Sequence, residues 1–279
     1  MMHGCLRRLK VRSDKVGNVE TDAVKLSVVK KALLTRMMRR SASTAGPRAR
    51  DRALPRKLSY AQQRLWLLHQ IDPAGYLYNV PRCVRLKGAL SVPQLERALN
   101  EIVRRHEVLR TTFPAELGHP VVRVSPALEI TLQLKVGPEG DPDESCARVL
   151  AEEAICEYRR PFDLTNGPLL RAAVWRVAEL DHVLLVVMHH IVSDGWTGGL
   201  LFAEMGSIYD SFCRGEGHAL PELPIQYSDY AAWQRESLSG TVIAEHLGYW
   251  RGHLSGSPVS LTLPVDRQSD DRSSFRGAT

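Results

Sequence analysis

The sequence predicts a layered α/β fold, a mixed sheet with flanking helices. Three observations predict it. The run Val183-Leu184-Leu185-Val186-Val187-Met188 has the length and β-branched content of a buried strand. Elsewhere apolar residues recur at helical spacing, as at Leu95, Leu99, Ile102 and Val103. Strand-like and helix-like segments are interleaved without strict βαβ alternation, which favours a mixed sheet over a purely parallel one.

The elements follow in order. Residues 1–21 show no periodicity. Asp22 is placed to cap a helix reaching residue 40, with Val24, Val28, Ala32, Leu33 and Met37 as its apolar positions. Residues 41–57 read as a linker, because Gly46, Pro47 and Pro55 interrupt arginines and small residues. A helix is expected over 60–70 and a strand over 82–86. Ser91 opens the next helix with capping-box spacing to Gln94. Strands are expected over 121–124, 130–136, 169–177 and 183–188. Helices are expected over 144–158, 198–213, 225–236 and 242–253. The chain has no internal repeats.

A length of 279 residues suffices for one large domain or two lobes with real cores. The formal charge of +6 is unevenly spread: residues 1–50 hold 13 Lys and Arg against 3 Asp and Glu, so the remainder is mildly acidic. The basic head reads as a solvated leader, and nucleic acid is not an expected partner. Five scattered cysteines without C-x-x-C spacing argue for reduced thiols and a cytoplasmic setting. No apolar run approaches the ~18 residues of a membrane span. The start lacks the apolar core of a secretory signal. No metal site is expected.

The chemistry concentrates in His189-His190-Ile191-Val192-Ser193-Asp194-Gly195-Trp196, where the apolar strand ends. Imidazole titrates near neutral pH, so a strand end can deliver a base into a cleft. Successive strand residues face opposite ways, so His189 and His190 do not enter one cleft together. His190 is the proton-handling or positioning candidate, and His189 is structural. Trp196 is expected in core packing. Tyr227, Tyr230 and Trp233, which share one helical face, are expected to pack.

Four ordered segments carry a family resemblance. They are residues 59–68 (SYAQQRLWLL), 105–113 (RHEVLRTTF), 188–196 (MHHIVSDGW) and 227–233 (YSDYAAW). Together they resemble the condensation domains of nonribosomal peptide synthetases, in the superfamily of chloramphenicol acetyltransferase. The related epimerization domains share the double histidine, but Asp194-Gly195-Trp196-Thr197 is more similar to the condensation pattern. The resemblance covers residues 54–279. It implies a chloramphenicol acetyltransferase-like lobe with the second lobe largely missing. A basic leader would occupy 1–53, the N-terminal lobe 54–236, and a crossing segment with the start of a truncated second lobe 237–279.

The resemblance implies a reaction. An amine attacks a carrier-bound thioester, an amide forms and a thiol leaves. No covalent enzyme intermediate is required, in keeping with the absence of a G-x-S-x-G elbow. No cofactor is expected on the chain. Substrates would arrive on phosphopantetheine arms of peptidyl or aminoacyl carrier domains, and the missing lobe could lie on another chain. His190 would handle the proton. The resemblance would have Asp194 fix the loop through Arg110 or Arg105, with Arg64 a weaker partner; its place before a helix offers the alternative of an N-cap or first-turn acid. Gly195 would offer its N–H to the oxyanion or serve as a turn glycine. The alternative is a non-catalytic remnant that binds carrier or partner synthetase domains.

Overall fold

The structure is a computed structural model that describes residues 46–218 and 220–258. The helix expected over 22–40 lies outside them, as do Val259, Leu261, Leu263 and Phe275, the apolar residues expected to be left exposed where a second lobe would pack.

Ser59 opens helix α1 (Tyr60–Ile71) with a complete capping box: its side chain accepts from Gln62 N, and the Gln62 side chain accepts from Ser59 N. Strand β1 (Asn79–Lys87) is longer at both ends than expected. Helix α2 (Val92–Arg105) starts after Ser91, but no capping box forms there. Ser91 has ψ of 98°, against 164° at Ser59, and its side chain accepts no helix N–H. Instead Ser91 N donates to the Tyr209 hydroxyl at 3.0 Å.

A 3-10 turn (Glu107–Arg110) leads into four two-residue strands: β2 (Thr111–Thr112), β3 (Ala115–Glu116), β4 (His119–Pro120) and β5 (Arg123–Val124). The strand expected over 121–124 thus shrinks to β5, paired with β2 outside the main sheet. The strand expected over 130–136 narrows to β6 (Gln133–Val136), where it lies parallel to a neighbour.

The helix expected over 144–158 is split. Helix α3 (Pro142–Arg148) passes through a π turn (Val149–Glu153) into α4 (Ala154–Arg159). The π turn inserts one residue, so Ala154 rather than Glu153 follows Cys146 and Val149 into the core. Strands β7 (Leu170–Ala178) and β8 (Asp181–His189) form a hairpin. A 3-10 turn (His190–Val192) leads to α5 (Thr197–Cys213), then α6 (Tyr227–Ser237) and α7 (Thr241–His253).

The main sheet runs β1-β8-β7-β6; β8 is antiparallel to both neighbours and β6 is parallel to β7. Alternation along β1 shows that both faces are covered. Arg82 lies against Gly198 of α5, whereas Arg85 reaches Asp143 of α3. The central strand β8 should therefore be apolar on both faces, and its residues 183–188 are each 1 % exposed or less. Arg85 also clamps Asp181 at the strand start with bonds of 2.8 and 2.6 Å. Helix α7 buries none of its residues, and Leu247, Tyr249, Trp250 and Leu254 are exposed.

Helix α1 ties the four sequence segments together. Trp66 Nε1 donates to Phe113 O at 3.0 Å, reaching the second segment. Gln62 Nε2 donates to Ile191 O at 3.3 Å, reaching the third. Ser59 Oγ and the Tyr227 hydroxyl lie 3.0 Å apart, reaching the fourth. The nominal linker also takes part, since Arg50 N and the Arg52 guanidinium bond the buried Asp229 carboxylate of α6.

Candidate active site

Strand β8 delivers the two histidines to different environments. His189 is its last residue and is buried. Its Nδ1 accepts from Ile191 N at 3.1 Å, and its ring stands edge-on to Phe162 and His69, each at 6.1 Å between ring centres. Burial, then the neighbouring His69 and His190, push its pKa down to about 3. His189 is therefore a neutral imidazole that shapes the turn.

His190 leaves the strand in the 3-10 turn and is exposed. Its backbone is pinned, with N donating to Tyr78 O at 2.7 Å and O accepting from Ser193 N at 3.3 Å. Its ring lines a cleft of about 550 Å³. Arg64 of α1, His106 at the end of α2, Thr197 of α5, and Tyr227 and Tyr230 of α6 line the same cleft. His189 does not.

Asp194 lines the cleft, but it does not pair with an arginine as expected. Its Oδ1 accepts from Trp196 N at 3.0 Å, Thr197 N at 2.9 Å and Thr197 Oγ1 at 2.8 Å. Among the described residues it forms no ion pair. Partial burial works against its charge, but these three donors outweigh that and hold its carboxyl below the usual range. Asp194 acts as a cap for α5.

Both candidate arginines are engaged elsewhere. Arg105 is buried, with Nε 3.1 Å from Glu204 Oε2 and Nη1 2.5 Å from Pro221 O. Arg110 donates to Ser125 O and lies 3.9 Å from Glu107 Oε1. The Arg64 side chain makes no hydrogen bond or ion pair among the described residues.

Around Gly195 the fold gives no internal reason for glycine. Its backbone lies outside the left-handed region, and a Cβ would meet nothing within 4 Å. The Asp194 turn consumes the N–H groups of Trp196 and Thr197, while the Gly195 N–H has no partner among the described residues. Trp196 corrects a second expectation, because it is 84 % exposed rather than packed in the core. The turn before α5 carries it outward.

Tyr227 and Tyr230 pack as expected, with ring centres 5.5 Å apart and Tyr230 at 5.8 Å from Trp233, but they also form a cleft wall. Burial makes the Tyr227 hydroxyl harder to ionise. His106 carries no signal of its own in the sequence, since its place in the cleft depends on α2 meeting α5. No cluster of three or more His, Cys, Asp or Glu among the described residues is arranged to hold a metal ion.

Comparison with known proteins gives a consistent picture. The family model described as Condensation domain matches residues 56–279. One of the linear gramicidin synthase chains of Brevibacillus parabrevis is 43 % identical over 236 residues, covering 84 % of this chain and 4 % of the synthase chain. Phosphinothricin tripeptide synthetase PhsC of Streptomyces viridochromogenes is 37 % identical over 272 residues, covering 94 % of this chain and 24 % of that protein. The chain thus spans a small part of these relatives. Among solved structures, the X-domain from teicoplanin biosynthesis superposes with a TM-score of 0.70 at 28 % identity, covering 79 % of this chain and 48 % of that one. The first condensation domain of the calcium-dependent antibiotic synthetase superposes with a TM-score of 0.64 at 22 % identity, covering 74 % and 49 %.

Proposed function

This chain belongs to the condensation-domain family, and we propose that it supplies the histidine-bearing half of an amide-forming acyltransferase site. An amine attacks an acyl thioester. The C–N bond forms, the C–S bond breaks, and the leaving thiolate takes up the proton that the amine loses, so that an amide and a thiol result. The observation that carries this reading is the placing of His190 in the cleft, on the same short loop as a Gly195 N–H without a partner among the described residues. A base and an oxyanion donor on one short loop match the two needs of the reaction.

Each residue then has a role. His190 holds or accepts the amine proton. An α-amine has an unperturbed pKa of ~8, so part of it is neutral near pH 7 and positioning can carry much of the rate. The Gly195 N–H faces the developing oxyanion, and Asp194 holds the loop that presents it. Arg105 and Arg110 brace the cleft wall, and His189 supports the turn beneath His190.

The substrates in this reading ride on phosphopantetheine arms of carrier domains, in the cytoplasm. No helix among the described residues is long and apolar enough to cross a membrane. Residues 54–236 form the working lobe, 1–53 a leader, and 237–279 lead towards a second lobe. The solved condensation domain is about twice the span matched here. Enclosing two substrates away from water would use the remaining half of that architecture, on this or another polypeptide.

A second reading is a binding module for carrier or partner domains. A structure of the X-domain in complex with OxyB favours it, superposing with a TM-score of 0.69 at 28 % identity. One experiment separates the two. The chain is supplied with the rest of the architecture, a donor acyl thioester on a carrier and a carrier-bound aminoacyl acceptor, and products are followed by mass spectrometry. Amide formation requiring this chain supports the acyltransferase. Carrier binding without amide supports the binding module.

A further inference from the structure

The cleft holds two imidazoles, and the second does not come from the double-histidine motif. It is His106, the C-cap residue of α2. Its backbone is fixed on both sides by one side chain: Gln226 Nε2 donates to Arg105 O at 3.0 Å, and Gln226 Oε1 accepts from Glu107 N at 3.0 Å. Its ring is fixed as well. His106 Nε2 lies 2.8 Å from Glu204 Oε2, on α5. Arg105 Nε lies 3.1 Å from the same oxygen and holds that carboxylate in place.

This arrangement settles the tautomer. A carboxylate accepts hydrogen bonds and cannot donate one, so a neutral His106 carries its proton on Nε2. Nδ1 is left as a bare acceptor. It has no partner among the described residues, yet it is not one of the buried unsatisfied atoms, so water reaches it. His106 lines the same cleft as His190, and with Nε2 held by Glu204 its Nδ1 is the ring atom left to accept a hydrogen bond there. Its complement is an N–H donor.

We infer that His106 Nδ1 is the acceptor that holds the N–H of the attacking amine, with Glu204 and Arg105 fixing the ring for that purpose. The inference rests on the amide-forming reading and adds a residue to it. His106 is an amine-positioning residue, distinct from the proton-handling role given to His190. An amine held by its N–H keeps its lone pair free for attack.

The test uses the 279-residue chain and two probes at pH 8. One is an aminoacyl amide of N-acetylethylenediamine, in which a stable amide replaces the thioester. The other is the same molecule with its α-amine replaced by hydrogen, so that it has no N–H at that position. Affinities are measured by calorimetry, alongside the side-chain ¹⁵N resonances of His106. The wild type is expected to prefer the free amine by about tenfold, the worth of one good hydrogen bond. The His106 Nδ1 resonance should move with the free amine alone. His106→Gln keeps a donor for Glu204, so it should fold and bind both probes, with the preference gone.

Equal affinity of the wild type for both probes would overturn this inference and leave the amide-forming reading standing. So would a preference retained in His106→Gln, or an Nδ1 resonance indifferent to the free amine. Failure to bind either probe would overturn the inference together with the reading beneath it.

Discussion

Replacing Asp194 by alanine distinguishes a loop cap from a buried ion pair. The structure gives Asp194 three accepted hydrogen bonds, all to Oδ1 and all within the turn, and no cation within ion-pair distance among the described residues. Losing a helix cap of this kind costs ~1 kcal/mol, whereas breaking a buried ion pair costs ~3–5 kcal/mol. For a domain of this size 1 kcal/mol corresponds to a fall of about 2–4 °C in melting temperature. Asp194→Asn retains the Oδ1 acceptor and should lie between alanine and the wild type. Charge adds a pH signature. The folded state holds the Asp194 carboxyl below its ordinary pKa, so its contribution is present above the unfolded value of ~3.9 and fades as pH falls through the folded value. Urea titrations of the three proteins at pH 7 and pH 3 measure both effects. A loss above ~3 kcal/mol for alanine at pH 7, with asparagine no better, would refute the cap and restore the ion pair.

Gln62→Ala should destabilise by ~2–3 kcal/mol, because it removes the reciprocal half of the α1 cap and the bond to Ile191 O from a buried position; an unchanged urea midpoint would show that α1 does not brace the His190 turn. His189 has a folded pKa of about 3, below its unfolded value, so the stability it contributes is intact above ~6.5 and declines as pH falls towards 3. His189→Asn removes that titration and should flatten the slope of stability against pH by up to about 1.4 kcal/mol per pH unit in this window. Parallel slopes for mutant and wild type would mean that His189 is not buried neutral.

The legible parts of this fold are those whose local pattern and tertiary role agree. Residues 183–188 read as a buried strand because an interior strand covered on both faces has to be apolar on both. The helix starting near residue 60 is visible from its spacing. Its cap at Ser59 and the missing cap at Ser91 are not, because the same Ser-x-x-Gln spacing forms a box only when the backbone angle of the serine permits. The short strands β2 to β5 are obscured because pairs of two residues carry no period. At the site, His190 is legible from its place at a strand end. The capping role of Asp194 is legible from its place before a helix, whereas the arginine pairing implied by the resemblance does not form, because nearby backbone N–H groups take the carboxylate. His106 and Tyr227 enter the cleft through the meeting of α2, α5 and α6, elements that lie far apart along the chain.

The most direct test of the central claim is the rate of amide formation with His190→Ala, measured by mass spectrometry with the rest of the condensation architecture and loaded carriers supplied. His190 is exposed, so the variant should fold and melt as the wild type does. Loss of a proton-handling group of this kind should slow amide formation by about 10²–10⁴-fold. A variant that forms amide at close to the wild-type rate would contradict the account, because the cleft would then carry out its chemistry without the histidine placed at its centre.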